Sequence, residues 1–315
     1  MIQSAIFTFN ITAPVFIMIF IGFFLRKINL INESFSKMGS SLVFNLALPA
    51  LLIIKLIPVD IHSVVNFRQI AFCYAGTISA FLILWISSKY FIDNCHDRGA
   101  FIQGSFRSNY ALVGIPLIIN LFGDAGLVNS AIVLSAIIPI NNILSVTALT
   151  IPCKHEKNIN IKDLIFHICT NPLIIGTLIG VSGSLLNLSL PQILLNTGQY
   201  FTNLAIPLAL ISIGASLHFE SLKKALPLAS LAAFIKLIFI PIIVTVIAIQ
   251  MGFRNENLAS IFFLFTAPTA LSSYIMAEAM KCSPQLSSTI VILTTSSSVL
   301  TISIGVFIMK WLNLF

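Results

Sequence analysis

Asn45-Leu46-Ala47-Leu48-Pro49 recurs 158 residues further on as Asn203-Leu204-Ala205-Ile206-Pro207. The same shift sets Pro14 on Pro172, Gly22 on Gly180, Leu52 and Ile53 on Leu210 and Ile211, and Ile132 and Val133 on Ile290 and Val291. Leu meets Leu easily by chance in apolar sequence. An Asn and a Pro held in register, with further Gly and Pro matches at one shift, do not. The shift is close to half of the 315 residues, so the chain divides into two complete repeats, residues 1–157 and 158–315.

Composition names the medium. Hydrophobic residues make up 57% of the chain and charged residues 9%, with a mean hydropathy of +1.02. A soluble domain carries about 25% charge, so soluble enzymes and nucleic-acid binders are excluded. A disordered chain would not be this apolar. A membrane-crossing helix needs about 20 mostly apolar residues. Ten such stretches succeed one another, near 5–25, 37–57, 69–91, 100–121, 127–151, 164–187, 193–217, 226–249, 258–279 and 286–309. The longest polar gap, Cys153 to Lys162, holds no soluble domain. The first stretch lacks a basic leader and a cleavage site and is read as a retained helix. An all-α membrane protein of ten transmembrane helices is therefore expected.

Five spans per repeat is an odd number, so the second repeat is expected to sit inverted relative to the first. Inverted repeats characterise secondary transporters, whose substrate sites lie near the midplane where the repeats meet. Orientation comes from the short loops. One alternating set holds Arg26, Lys27, Lys37, Lys89, Arg98, Lys154, Lys157, Lys162, Lys223, Lys224 and Lys281; the other holds only Arg68, Arg254 and Lys310. Both termini are thus expected outside, and the net charge of +7 reports topology rather than a nucleic-acid partner. A multi-pass protein of a bacterial inner membrane, in contact with its lipid, is the expected setting. Cys73, Cys95, Cys153, Cys169 and Cys282 show neither metal spacing nor a paired framework, and no two of the five histidines form a ligand pair at helical spacing. No metal, no cofactor and no enzyme activity are expected.

Sites in such folds form where helices break and expose backbone N–H and C=O groups. The fourth span reads Ser105-Phe106-Arg107-Ser108-Asn109-Tyr110-Ala111-Leu112-Val113-Gly114-Ile115-Pro116, with Gly114 and Pro116 opposing a continuous helix. The ninth reads Thr266-Ala267-Pro268-Thr269-Ala270-Leu271-Ser272-Ser273, and a shift of 159 sets Ala111-Leu112 on Ala270-Leu271. Both spans thus carry breakers near mid-depth, flanked by Asn109 in one and by Thr269, Ser272 and Ser273 in the other.

Ionisable residues inside a membrane are costly and mark function. Lys55, near the outer end of its span, reads as interfacial. Lys236 lies about ten residues inside the eighth span, roughly 15 Å from either end. It reads as a countercharge to an anionic substrate or a fixed cation replacing a coupling ion, against a buried pair or a carbonyl contact that only holds helices together. Arg107 and Glu278 lie at similar depth and read as a gating or structural pair, or as two separate interfacial charges. Asn141-Asn142 and Thr294-Thr295-Ser296-Ser297-Ser298 read as a polar path or as close packing.

The Asn109-x4-Gly114-x-Pro116 run, the Ala267-Pro268-Thr269-Ala270 run and the paired Asn-Leu-Ala-x-Pro elements together resemble the auxin efflux carrier family, including its bacterial malonate-transporter-like members. The resemblance covers essentially the whole chain. It implies two inverted five-helix repeats in which broken helices 4 and 9 cross, and a scaffold of helices 1, 2, 6 and 7, often dimeric. It also implies a mobile unit of helices 3–5 and 8–10 with elevator-like movement. The substrates implied are small organic anions, dicarboxylates such as malonate or malate or auxin-like acids. Apart from the resemblance, a proton or sodium is considered as a coupling partner. The family's binding asparagine maps to Asn109 and its crossing prolines to Pro116 and Pro268. Where many members carry Asn four residues after the second proline, this chain has Ser272. A sodium or proton antiporter and a non-transporting anion sensor are the other functions considered.

Overall fold

Asparagines mark where several helices begin. Asn32 accepts the backbone N–H of Phe35 at 2.8 Å, Asn66 that of Gln69 at 3.1 Å, Asn94 that of His96 at 2.9 Å and Asn171 that of Leu173 at 3.0 Å. Each fills one of the donors a helix start leaves open. The computed structural model describes residues 2–58, 66–150, 170–217 and 226–314. In chain order the helices are α1 (Ile2–Lys27), α2 (Glu33–Leu42), α3 (Leu48–Leu56), α4 (Phe67–Ser87), α5 (Cys95–Phe106), α6 (Ile115–Thr150), α7 (Pro172–Leu185), α8 (Gln192–Ala215), α9 (Leu226–Phe234), α10 (Ile240–Gln250), α11 (Asn255–Thr266), α12 (Leu271–Ala279) and α13 (Pro284–Trp311). Among the described residues all regular structure is helical, apart from one isolated backbone bridge.

Three π turns join α2 to α3 (Val43–Ala47), lead into α6 (Tyr110–Gly114) and join α9 to α10 (Ile235–Phe239). Each is succeeded by a proline at the second position of the next helix: Pro49, Pro116 and Pro241. The physical link is direct. Proline lacks an N–H and its ring crowds the carbonyl four residues back. A π turn inserts one extra residue and moves the pairing to five residues back. Leu48 thus bonds Val43, Ile115 bonds Tyr110 and Ile240 bonds Ile235 just before each ring. Helical continuity survives the proline. Gly114 closes the second π turn, where a Cβ would run into the ring of Tyr110.

Six described stretches are long and apolar enough to cross a membrane: 6–27, 33–56, 67–90, 110–150, 226–250 and 284–311. Large apolar side chains face outward, including Phe9 at 68% and Phe20 at 65% exposure. That surface suits lipid, not water. The gap expected between a fourth and a fifth span is only a turn within α6, where Gly123 adopts φ 60° and ψ −142°. The start of the expected sixth span lies outside the described residues. Cys95 is disulfide-bonded and Cys73 and Cys282 are free; spacing alone gave no sign of pairing.

Glycines set the closest helix approaches. In α1, a Cβ on Gly22 would collide with the Ile211 backbone of α8, and one on Gly214 of α8 with the Ile19 backbone of α1. In α7, Gly180 lies against Leu56 and the Leu52 carbonyl of α3, while Gly176 lies against Pro49. The buried core runs through all these contacts to α11 and α13.

Candidate functional site

The helical pattern stops where α5 ends and where α11 ends. Arg107 caps α5 with φ −71° and ψ 124°, and Asn109 comes two residues later with φ −88° and ψ 48°. Ala267 leaves α11 with φ −57° and ψ 141°, and Ala270 enters α12 with φ −65° and ψ 136°. These two short extended segments lie antiparallel, with Ser108 bridged to Thr269. The Asn109 N–H donates to the Pro268 carbonyl at 2.7 Å.

One expectation needs correcting. The first break falls at Arg107–Asn109, ahead of Gly114, which closes the π turn, and of Pro116, which lies in continuous helix behind it. The shift of 159 that aligns Ala111-Leu112 with Ala270-Leu271 sets Asn109, not Pro116, on Pro268. Asn109 and Pro268 meet at the crossing; Pro116 is buried in the first turn of α6.

Thr269 is fully buried. Its hydroxyl donates to the Gly104 carbonyl at 2.6 Å, and its N–H donates to Thr294 Oγ1 at 3.1 Å. Thr294 donates in turn to the Ile290 carbonyl at 2.8 Å. Gly104 lets α13 approach α5, since a Cβ there would sit 2.8 Å from Ile290. Ser272, half-buried in the first turn of α12, makes no side-chain bond among the described residues. The Asn109 amide, 7% exposed, makes none either. Ser105 Oγ, Ser108 Oγ, Asn141 Oδ1 and Ser273 Oγ are buried without partners. Buried polar atoms are nearly always bonded, so the unpartnered hydroxyls of Ser105 and Ser108 on one arm and of Ser273 on the other are exceptions among the described residues.

The charges near the breaks are basic. Lys236 is 1% exposed, inside the third π turn, and its Nζ donates to the Phe265 carbonyl at 2.9 Å. Arg107 and Glu278 do not pair. Arg107 donates to Met276 Sδ at 2.6 Å and to Asn142 Oδ1 at 3.2 Å, while Glu278 is exposed on the last turn of α12. One is turned into the protein and the other out of it, which spacing within each span could not reveal. Met276 and Gly104 carried no signal in the sequence, because a thioether and a glycine are ordinary among apolar residues.

A cavity of about 420 Å³ opens between α2, the end of α8, α12 and the start of α13. Ser36, Lys37, Tyr274 and Ser288 line it, and so does Leu271, the first residue after the second break. Lys37 there is paired with Glu33 at 3.0 Å.

The profile of the family described as membrane transport protein matches residues 7–306. An uncharacterized transporter of Methanothermobacter thermautotrophicus is 22% identical over 276 residues, covering 84% of this chain and 85% of the relative. An uncharacterized transporter of Methanocaldococcus jannaschii is 19% identical over 302 residues, covering 94% and 96%. The resemblance to the auxin efflux carriers is borne out, and the protein is integral to a membrane. The chain belongs to the membrane transport protein family.

Proposed function

We propose that this protein is a secondary active transporter of small organic anions, of the size of malonate or malate or an auxin-like acid. The observation that carries this reading is the sign of the charge at the crossing. Lys236 and Arg107 lie beside the two breaks, and among the described residues neither has a carboxylate partner. The α12 start has no side-chain cap, and a helix start favours an anion. A carboxylate would gain donors from the Asn109 amide, from Ser272 and from this helix end. The Thr269 hydroxyl is already spent on Gly104, so its part is to hold the crossing. A sodium or proton antiporter would need an acid here, and Glu278, the acid the ninth span offers, is exposed on the last turn of α12.

The ten-span inverted arrangement of residues 1–157 and 158–315 belongs to this proposal. Its support is the pairing of Gly22 with Ile211 and of the repeat-related Gly180 with Leu52 and Leu56. Two equivalent halves can exchange conformations, opening the site first to one side and then the other. In the elevator form of that cycle the breaks travel with α4–α6 and α9–α13 past α1–α3, α7 and α8, and a homodimer would anchor the second group. With both termini outside a bacterial inner membrane, the cavity faces the cytoplasm.

The test is uptake of radiolabelled malonate and malate into proteoliposomes by wild type, Asn109→Ala and Lys236→Ala, with and without proton or sodium gradients. Saturable uptake lost in both variants is expected. Absence of any carboxylate uptake by folded wild type would overturn the reading.

A further inference from the structure

We infer that the Lys236 ammonium occupies the place a coupling metal cation would take, and that this carrier therefore binds no sodium at the crossing. The inference deepens the anion-carrier reading and rests on it for its meaning, though not for its measurement.

The break leaves α11 with carbonyls that have lost their helical donors. Leu264 would be bonded from residue 268, but Pro268 has no N–H. Phe265 would be bonded from Thr269, whose N–H goes to Thr294 instead. A helix end with freed carbonyls carries partial negative charge, and in broken-helix transporters such ends coordinate sodium or protons. Here Lys236 Nζ donates to the Phe265 carbonyl at 2.9 Å from a side chain that is 1% exposed.

The placement depends on the backbone. Lys236 lies inside the π turn Ile235–Phe239, where one extra residue rotates the downstream helix by about 100° relative to a regular one. Among the described residues no carboxylate lies within salt-bridge distance of it. A metal ion entering the same carbonyls would have to share the space with a positive charge. The lysine is tethered to the chain, so it would balance charge without being bound and released in each cycle.

The test uses purified protein in detergent and in proteoliposomes. Binding of radioactive sodium and the thermal midpoint in sodium chloride against choline chloride are read first, without any carboxylate. Wild type is expected to bind no sodium and to unfold at the same temperature in both salts. Lys236→Ala, which frees the carbonyls, is expected to gain a midpoint rise in sodium or methylammonium that choline does not give. Lys236→Met, which keeps the apolar stem and fills the space, is expected to gain less. Saturable sodium binding by wild type overturns the inference. So does a Lys236→Ala variant that folds and ignores every small cation. If the variants do not fold, the wild-type sodium measurement decides alone. Carboxylate uptake at equal rates in sodium and choline completes the case, whereas loss of all uptake would count against the carrier reading and leave the cation result standing.

Discussion

Thr269 joins three elements through two bonds, from its hydroxyl to α5 and from its N–H to α13. Thr269→Val keeps the shape and removes the hydroxyl. Losing a buried hydrogen bond of this kind costs about 1–3 kcal/mol. The variant should unfold at lower denaturant than wild type, and Thr269→Ser should recover most of the loss. An unchanged midpoint for Thr269→Val would show that the crossing does not depend on this bond. Cys282 gives a residue-scale prediction outside the spans. It is 1% exposed and donates to the His96 carbonyl at 3.1 Å. Burial pushes its thiol up to about 11. A raised thiol pKa favours the neutral form, and the thiolate is the reactive one. A variant with Cys282 as its sole cysteine should therefore resist maleimide at neutral pH, and label as pH approaches 11 or on unfolding. Rapid labelling of the folded protein at neutral pH would contradict this.

At the scale of elements, each of the three described π turns stands directly in front of a proline and accommodates its missing N–H. Pro241→Ala restores the missing N–H and removes the ring, so Ile235–Phe239 can relax to regular helix. That relaxation would turn Lys236 away from the Phe265 carbonyl by about 100°. The expected result is a folded protein of equal or greater stability with much reduced carboxylate uptake. Wild-type uptake by Pro241→Ala would show that the widened turn has no part in function. Pro14, Pro139 and Pro207 offer the contrast, since each lies inside a plain α-helix. The prolines look alike in the sequence; the turn in front of each differs.

At the scale of the molecule, the proposed elevator movement would have to break contacts between its two groups of helices. Lys55 at the end of α3 pairs with Asp124, just after the Gly123 turn, at 2.9 Å. Nearby, the Asn120 amide donates to the Ile11 carbonyl at 3.0 Å. The cavity lies near the start of α2, whereas Lys55 is at the end of α3. In the proposed cycle the pair would act as a latch on the closed side. Both partners are partly exposed, so it is worth only about 0.2–1 kcal/mol. Asp124→Asn should shift the population modestly toward opening on that side. Cysteines placed beside it should react up to about fivefold faster with a membrane-impermeant reagent added from outside. No change in that rate would remove the pair from the gate.

The helical, membrane-borne character of the chain, its family and the location of the second break were legible in the sequence, because each depends on local pattern: runs of apolar residues, a shared motif, a proline beside small polar residues. Asn109 was legible for the same reason. The tertiary structure decided how those positions meet. It moved the first break from Pro116 to Arg107–Asn109, since a π turn can absorb a proline. It separated Arg107 from Glu278 and gave Arg107 to Met276 and Asn142, because depth along a helix says nothing about which face a side chain takes. It also set Lys236 on a carbonyl of α11, a choice made by the width of one turn and by the donor that Pro268 and Thr269 fail to supply.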